Sequence, residues 1–520
     1  MNRLYRVLTG LGVLLASTVA VFALLKAAPG GVLPADQPVV VQYFAWLFRV
    51  LRGDLGFSLS NAQPVSQAIV ERLPATIELA SFGFMASVAL GALAGFVRAR
   101  ARAPALRDVL AVPSLVGRAI PVAVLALSLQ LFLTFTTKLP AAGSASGDAF
   151  DVRDWFAHLV EPVLTLALPF GAWFSSIFYD FFRAPDPGSR RSFRDVAGAV
   201  AMSVALIGPA LLSASILIEA LFAWPGIARL FIFAVRERDA AVLAGVLLVY
   251  SVAIVLIKLC SEFSPNYPRV PANRAKRLSA IGVAGLVVLL CASFGAVAAN
   301  LIAPANPNFI DQAHWVGYPL APGVAGHVLG TDENGRDLLS RLLFGLRTSL
   351  GIAALAAVVA AAIGAFVAWA TKRVRWFDER GTLGVIGIRP FAALPFILVA
   401  VTVLAGQFHT RTVLNPLAIA LMIAVVSWPA IVPAFRALAP TTLGGVADLL
   451  GCALLLEVTM SMFGFGVQPP VPSLGNMLVN AQSNLFLAPW VPIIPTLVIV
   501  VTLFALYALG DELRERNASA

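Results

Sequence analysis

The sequence predicts an all-α, polytopic membrane protein of about twelve transmembrane helices, arranged as two parallel six-helix repeats. Three observations carry this. The 520 residues are 59% hydrophobic and only 12% charged, against about 45–50% and about 25% in soluble domains. That little charge does not cover a water-facing surface, which excludes an ordinary soluble enzyme, a disordered chain and a typical nucleic-acid binder. The apolar residues also fall into long runs, and the two halves of the chain share one plan.

A helix needs about 20 apolar residues to cross a bilayer. The expected spans are 8–25, 74–97, 109–135, 161–182, 196–222 and 240–257, then 278–301, 349–370, 383–405, 414–435, 443–463 and 489–509. Arg3 and Arg6 precede the first run as in a cleaved signal peptide. Its length and the Lys26 that follows favour a retained helix. An even number of spans puts both termini on one side. With the N-terminus inside, the inner segments are the shorter ones yet hold more Lys and Arg, the asymmetry of cytoplasmic loops. Both termini are therefore expected in the cytoplasm. The net charge of +10 is read as topology and lipid contact rather than nucleic-acid binding. Cys260, Cys291 and Cys452 have no metal or redox spacing and are expected as small buried side chains.

The stretch 261–277 is rich in Pro, Lys and Arg and reads as a cytoplasmic linker between a first half (1–260, core 74–257) and a second half (278–520, core 349–509). Each half begins with a lone helix, continues with a long outer segment (26–73 and 302–348) and then has five more spans. In each, the fifth span ends in a glutamate and a Gly/aromatic turn: Glu219-Ala-Leu-Phe-Ala-Trp-Pro-Gly226 and Glu457-Val-Thr-Met-Ser-Met-Phe-Gly-Phe-Gly466. Parallel repeats of this kind put a shared pathway at their interface.

Catalytic signatures are absent. No lysine follows a glycine, so there is no phosphate-cradling loop of the Gly-x-x-x-x-Gly-Lys type. His158-Leu-Val-Glu161 has the wrong spacing for a zinc helix, and Gly143-Ser-Ala-Ser-Gly147 has alanine at the nucleophile position. The chain is expected to be neither an enzyme nor the bearer of a cofactor or metal of its own. Arg118, Glu219, Arg389, Asp448 and Glu457 lie within or near spans, where ionisable groups usually face the bundle interior. Arg118, Glu219, Arg389 and Glu457 are candidates either for the translocation path or for polar contacts inside the bundle. Asp448, near an inner end, is expected to be solvated. No Asp/Glu/His relay suggests proton coupling, so ion-coupled secondary transport is kept only as a second alternative.

Several long motifs resemble one family. Tyr43-Phe-Ala-Trp-Leu-Phe-Arg-Val-Leu-Arg-Gly-Asp-Leu-Gly-Phe-Ser58, Glu71-Arg-Leu-Pro-Ala-Thr-Ile-Glu-Leu-Ala80 and Phe222-Ala-Trp-Pro-Gly-Ile-Ala-Arg-Leu230 resemble the first permease of the dipeptide/oligopeptide/nickel ABC importers. His327-Val-Leu-Gly-Thr-Asp-Glu-Asn-Gly-Arg-Asp-Leu-Leu-Ser-Arg-Leu342 and Phe463-Gly-Phe-Gly-Val-Gln-Pro-Pro-Val-Pro-Ser-Leu-Gly-Asn-Met477 resemble the second permease. Ala488-Pro-Trp490 and Leu509-Gly-Asp-Glu-Leu-Arg514 fit its C-terminal end. The resemblance covers nearly the whole chain. It implies a fused pair of permeases of the type I ABC importer fold in a bacterial-type inner membrane. An extracytoplasmic solute-binding protein would deliver peptides or similar small solutes. Two ABC-type ATPase subunits, carrying ATP and Mg, would drive transport.

The chain departs from the family in one respect. Members carry an ATPase-docking helix, rich in Glu and Ala, in a cytoplasmic loop of each half. Here the first half offers only 183–195, with Pro185, Pro187 and Gly188, and the second only 436–442. Proline and glycine oppose a helix in the first, and the second is too short for one. Either the ATPases dock on a remodelled surface, with Arg183, Arg190, Arg191, Arg194 and Arg436 as candidate contacts, or the chain is a permease-like channel, receptor or scaffold uncoupled from ATP. Two local expectations complete the reading. Asp332 or Asn334 caps the helix that follows the Gly330–Gly335 turn, and Gly91-Ala-Leu-Ala-Gly95 permits close helix approach.

Overall fold

The computed structural model describes residues 2–27, 37–183, 193–262, 280–372, 416–435 and 442–517, apart from short stretches at 59, 61, 138, 141, 146–150, 238, 315–316, 429–430 and 433–434. Among these the regular structure is helical apart from one short hairpin, and the chain divides into two compact units. The first comprises the described parts of 1–117 and 128–270; the second comprises the described parts of 118–127, 271–374 and 412–520.

The first unit starts with α1 (Asn2–Ala27) and α2 (Val39–Leu51). Gly53 and Gly56, both at positive φ, turn the chain into the hairpin β1 (Phe57–Ser58) and β2 (Gln63–Pro64). Then come α3 (Val65–Arg100), α4 (Pro104–Ala119), α5 (Val122–Thr137), α6 (Val152–Arg183), α7 (Phe193–Leu221), α8 (Ile227–Glu237) and α9 (Ala240–Glu262), with the end of α4 and the start of α5, 118–127, belonging to the second unit. The second unit holds α10 (Ala280–Val297), α11 (Ala299–Ile302), α12 (Leu338–Lys372), α13 (Pro416–Ser427), α14 (Thr442–Met462), α15 (Ala481–Leu487) and α16 (Trp490–Asn517).

Apolar helices in lipid gain little from hiding apolar surface against each other, so small residues that let backbones approach dominate their contacts. In α3 the buried residues Gly83, Ser87, Gly91 and Gly95 recur every fourth position and form one seam against α6. A Cβ at Gly91 would sit 2.8 Å from the Gly171 carbonyl oxygen and would also run into Phe174 Cβ. At Gly95 it would lie 2.7 Å from the Tyr179 nitrogen and 2.8 Å from the Ser175 carbonyl oxygen. The close approach expected of Gly91 and Gly95 is therefore the packing of α3 on α6. In the second unit Gly285 lets α10 meet α16 at Ala505, and Gly451 lets α14 meet the Tyr507 ring.

Among the described residues six helices are long and apolar enough to cross a membrane, or seven if a bent pair is one span. Several local expectations change. The segments Leu14–Ala23, Ile207–Leu221, Ile281–Val297 and Pro416–Ser427 are shorter apolar helices, and the ninth expected span, 383–405, lies outside the described residues. The third expected span is not one helix: it breaks at Pro121, and the two parts meet at 97°. Proline lacks the N–H that would continue the ladder and disfavours helical backbone before it. Conversely, α3 and α12 extend well beyond their apolar cores, because polar helix formers such as Gln67 and Glu71 continue the helix where hydropathy has fallen. The 183–195 connection is shorter than the sequence suggested, since Arg183 ends α6 and Phe193 begins α7. The linker expected from 261 begins later, because α9 continues to Glu262; residues 263–277 lie outside the described residues. Cys291 is exposed and Cys452 half-buried, so neither is the fully buried side chain expected.

Candidate functional site

In each unit one buried glutamate organises the turn after its helix. Glu219, in the last turn of α7, is fully buried. Its Oε1 accepts the Thr76 hydroxyl of α3 at 2.7 Å, and its Oε2 accepts the backbone N–H groups of Ala228 (2.7 Å) and Arg229 (3.2 Å). Those N–H groups belong to the first turn of α8, where helix donors have no partner within the helix. Thr76 Oγ1 also accepts the Ile227 N–H at 2.8 Å, and the Trp224 indole donates to the Ala75 carbonyl at 3.0 Å. Gly226 lies against this cluster, where a Cβ would be 2.5 Å from Thr76 Oγ1. The Phe222–Leu230 motif is thus a loop folded onto α3 and held by a carboxylate.

Glu457, in α14, is likewise fully buried. Ser461 donates to its Oε1 at 2.8 Å, and the Ser349 and Ser473 hydroxyls flank the carboxylate. The serines in turn accept backbone donors: Ser461 Oγ from Val467 (2.9 Å) and Ser349 Oγ from Leu474 (3.0 Å). Asn476 completes the loop by donating to the Val467 and Val471 carbonyls. Within its own unit, each glutamate ties the turn that follows its helix to the long helix α3 or α12.

The other candidates are placed as follows. Arg118 is buried in the second unit and forms an ion pair with Asp511 of α16. Asp448 is half-buried, with an oxygen 2.8 Å from where a Cβ on Gly510 would stand, so it packs at the α14–α16 contact rather than being freely solvated. Arg389 and Arg436 lie outside the described residues, as do Arg190 and Arg191. Arg183 and Arg194 stand at the facing ends of α6 and α7. The structure brings Thr76 to Glu219 and Ser349, Ser461 and Ser473 to Glu457, partners that spacing alone does not reveal.

Glu161 was missed. It is fully buried in α6, and neither carboxylate oxygen has a hydrogen-bond partner among the described residues. Its sequence signal is an acidic residue at the edge of an apolar run, where a span boundary and a buried group look alike. Among the described residues no group of three or more His, Cys, Asp or Glu could hold a metal ion.

Two cavities adjoin the glutamate loops. One of about 390 Å³ in the first unit is lined by Leu73, Thr76, Phe84, Gly208, Tyr250 and Ile257. One of about 280 Å³ in the second is polar, with Glu333, Arg336, Arg341, Gln468 and Asn480 on its walls.

The 327–342 motif forms a charged knot beside that polar cavity. Asp332 Oδ1 accepts the N–H groups of Asn334 and Arg336, both at 2.9 Å, closing a tight turn. Its Oδ2 pairs with Arg336 (2.7 Å) and Arg341 (3.1 Å). The helix cap expected at Asp332 or Asn334 is instead Asp337, whose Oδ1 accepts the Ser340 N–H at 2.7 Å. α12 begins only at Leu338, so Asp337 is the residue in reach of its free donors. His327 is held from both sides, Nδ1 by Asp337 at 2.8 Å and Nε2 by Asp311 at 3.3 Å. Burial would lower its pKa, but the bonds to Asp337 and Asp311 outweigh this and raise it above the ordinary 6.5. Both bonds form only when both ring nitrogens carry protons.

A raised folded pKa means stabilisation present below 6.5 and lost as pH rises through the folded value. Hydrogen-exchange protection of 311–337, corrected for intrinsic rates, is expected to fall between pH 6 and pH 9. In His327→Gln that fall should vanish; an unchanged profile in the variant would refute the assignment.

No protein-family model matches the chain. Curated relatives do. A Brucella suis protein named as a peptide permease is 28% identical over 303 residues, covering 50% of this chain and 95% of the relative. A Sinorhizobium fredii protein named as a peptide ABC transporter permease is 30% identical over 247 residues, 44% of this chain and 79% of the relative. The di/tripeptide transport system permease DppC of Pseudomonas aeruginosa is 30% identical over 275 residues, 44% and 85% respectively. This chain belongs to the peptide ABC transporter permease family. Each relative is nearly spent on half of it, the coverage that a fusion of two permeases gives. As an ABC permease it is a multi-pass membrane protein and not itself an enzyme, and the family works with ATPase and binding-protein partners.

Proposed function

We propose that this chain alone forms the membrane pathway of a peptide importer, with residues 1–260 and 278–520 as its two permease halves. Peptides or similar small solutes arrive from an extracytoplasmic binding protein. Two ATPase subunits, holding ATP and Mg, bind on the side of both termini in the inner membrane's cytoplasmic face. Arg183, Arg190, Arg191, Arg194 and Arg436 contact them, and Glu219 and Glu457 keep the outer loops in shape for the pathway. The observation that carries this reading is the half-chain coverage by relatives named as peptide permeases.

A second reading, a permease-like protein uncoupled from ATP, is favoured by one observation. Only residues 184–192 separate α6 from α7, where the family's docking helix is expected. One purification separates the two. The tagged chain, taken from its native membrane in mild detergent, is expected to bring ATPase subunits with it and to show vanadate-sensitive ATP hydrolysis. Changing Arg183, Arg190, Arg191 and Arg194 together to Gln should release those subunits and abolish the activity. Reproducible absence of ATPases, with an intact permease retaining its own in parallel, would sink the coupled reading and leave the second.

A further inference from the structure

The short helix α2 presents an exposed face that is at odds with water. At about 100° per residue, Val40, Val41, Phe44, Phe48 and Leu51 share one arc of the helix, and they are 64%, 49%, 60%, 55% and 76% exposed. The opposite arc, centred on the buried Gln42 and Trp46, faces the protein. The two arginines of the helix end, Arg49 and Arg52, are exposed, and the Arg52 guanidinium lies 4.0 Å over the Phe48 ring.

The neighbours of α2 fix its level along the bundle. Its inner arc packs on the last turns of α1: Tyr43 hydroxyl meets Thr18 Oγ1 at 2.8 Å, the Tyr43 and Trp46 rings meet Phe22, and Lys26 donates to Gln42 at 2.9 Å. From Thr18 to Lys26 is about 12 Å of helix at 1.5 Å per residue. The segment after α2 is fastened to the N-terminal end of α9, an apolar helix long enough to span. Leu55 reaches Gly245, and the Ser58 and Ser60 hydroxyls donate to Asp239 at 2.7 Å. α2 therefore lies where α1 ends and α9 begins, at the membrane border. α1 itself bares Leu11, Leu15 and Val19 every fourth residue, as a helix does with lipid on its free side.

We infer that α2 is an interfacial helix whose Val40–Leu51 arc is embedded in the lipid leaflet at that border, with Arg49 and Arg52 at headgroup level. An apolar arc of this width flanked by cations is the pattern of helices that lie in the membrane plane. Arginines placed so lay their stems on apolar surface and keep their heads among polar groups. Bilayer lipid is the occupant because the contacts with α1 and α9 place the arc at bilayer level.

The test uses the full chain with Cys260, Cys291 and Cys452 replaced by alanine. A single cysteine at Phe44→Cys carries an environment-sensitive fluorophore, and the protein is reconstituted in nanodiscs of phosphatidylethanolamine and phosphatidylglycerol. Blue-shifted emission is expected, with quenching by lipids brominated near the headgroup at least about twofold stronger than for a label at Gln312→Cys in the exposed loop. Leu51→Cys is the second position and decides alone if the first variant does not fold. Quenching by an aqueous paramagnetic complex equal to that at Gln312→Cys would overturn the inference. So would a label shielded from both lipid and water, which would mean that protein covers the arc.

Discussion

Replacing Gly91 with leucine is expected to prevent stable packing of the first unit. A side chain there meets backbone, the Gly171 carbonyl oxygen at 2.8 Å, and the stem of Phe174 rather than a movable tip. The α3–α6 pair runs along most of two helices of 36 and 32 residues, so separating them at one point loosens the seam on both sides. Even Gly91→Ala should cost about 1–3 kcal/mol by overpacking, more than alanine recovers in helix propensity. Leucine exceeds what the seam can accommodate. The measurement is thermal unfolding of purified protein in detergent, followed by tryptophan fluorescence. Gly351→Ala is the matched control, because nothing lies within 4 Å of a Cβ at that helical glycine. Equal melting of Gly91→Leu and wild type would refute the close approach.

The second large effect is expected at Glu219. Glu219→Ala strands two buried donors, the Thr76 hydroxyl and the Ala228 N–H, and a part-buried one, the Arg229 N–H. Each stranded donor costs about 1–3 kcal/mol, and the loop over Phe222–Leu230 loses its anchor to α3. Hydrogen-exchange protection of this loop should collapse, and peptide uptake should fall with it. Glu219→Gln keeps one acceptor oxygen but points an amide N–H at a donor, so its effect should be intermediate in both measurements. Glu457→Ala is the counterpart in the second unit, where the Ser461 hydroxyl loses its acceptor. If Glu219→Ala abolished uptake with stability and loop protection unchanged, the carboxylate would be acting on substrate and the structural role would be wrong.

These two glutamates show how far the sequence could be read. Their position before a Gly/aromatic turn in both halves marked them as a repeated feature, and their burial followed from being acidic in an apolar run. What they hold was not legible. Thr76 is 143 residues away from Glu219, and a threonine inside a hydrophobic helix has no sequence signal that it faces a carboxylate. Glu161 carries the signal of an acidic residue in an apolar run, but hydropathy reports the average of a window, not which way one side chain points. The 97° break at Pro121 was marked by its proline, but an apolar window spans such a break without registering it. The cap at Asp337 was displaced from the expected Asp332 because Asp332 is drawn into pairs with Arg336 and Arg341.

By itself, the sequence determined the medium and the class of this protein. An apolar fraction of 59% and a charged fraction of 12% leave no folded alternative to a chain solvated by lipid, and the two-fold recurrence of motifs determined a repeated permease plan. Only the tertiary structure decided which polar groups meet, where the glycine seam closes and which face of α2 is bare. The reason is physical. Composition and periodicity are summed along the chain and fix the solvent and the secondary structure, whereas a hydrogen bond or a 2.8 Å approach depends on two segments meeting in space.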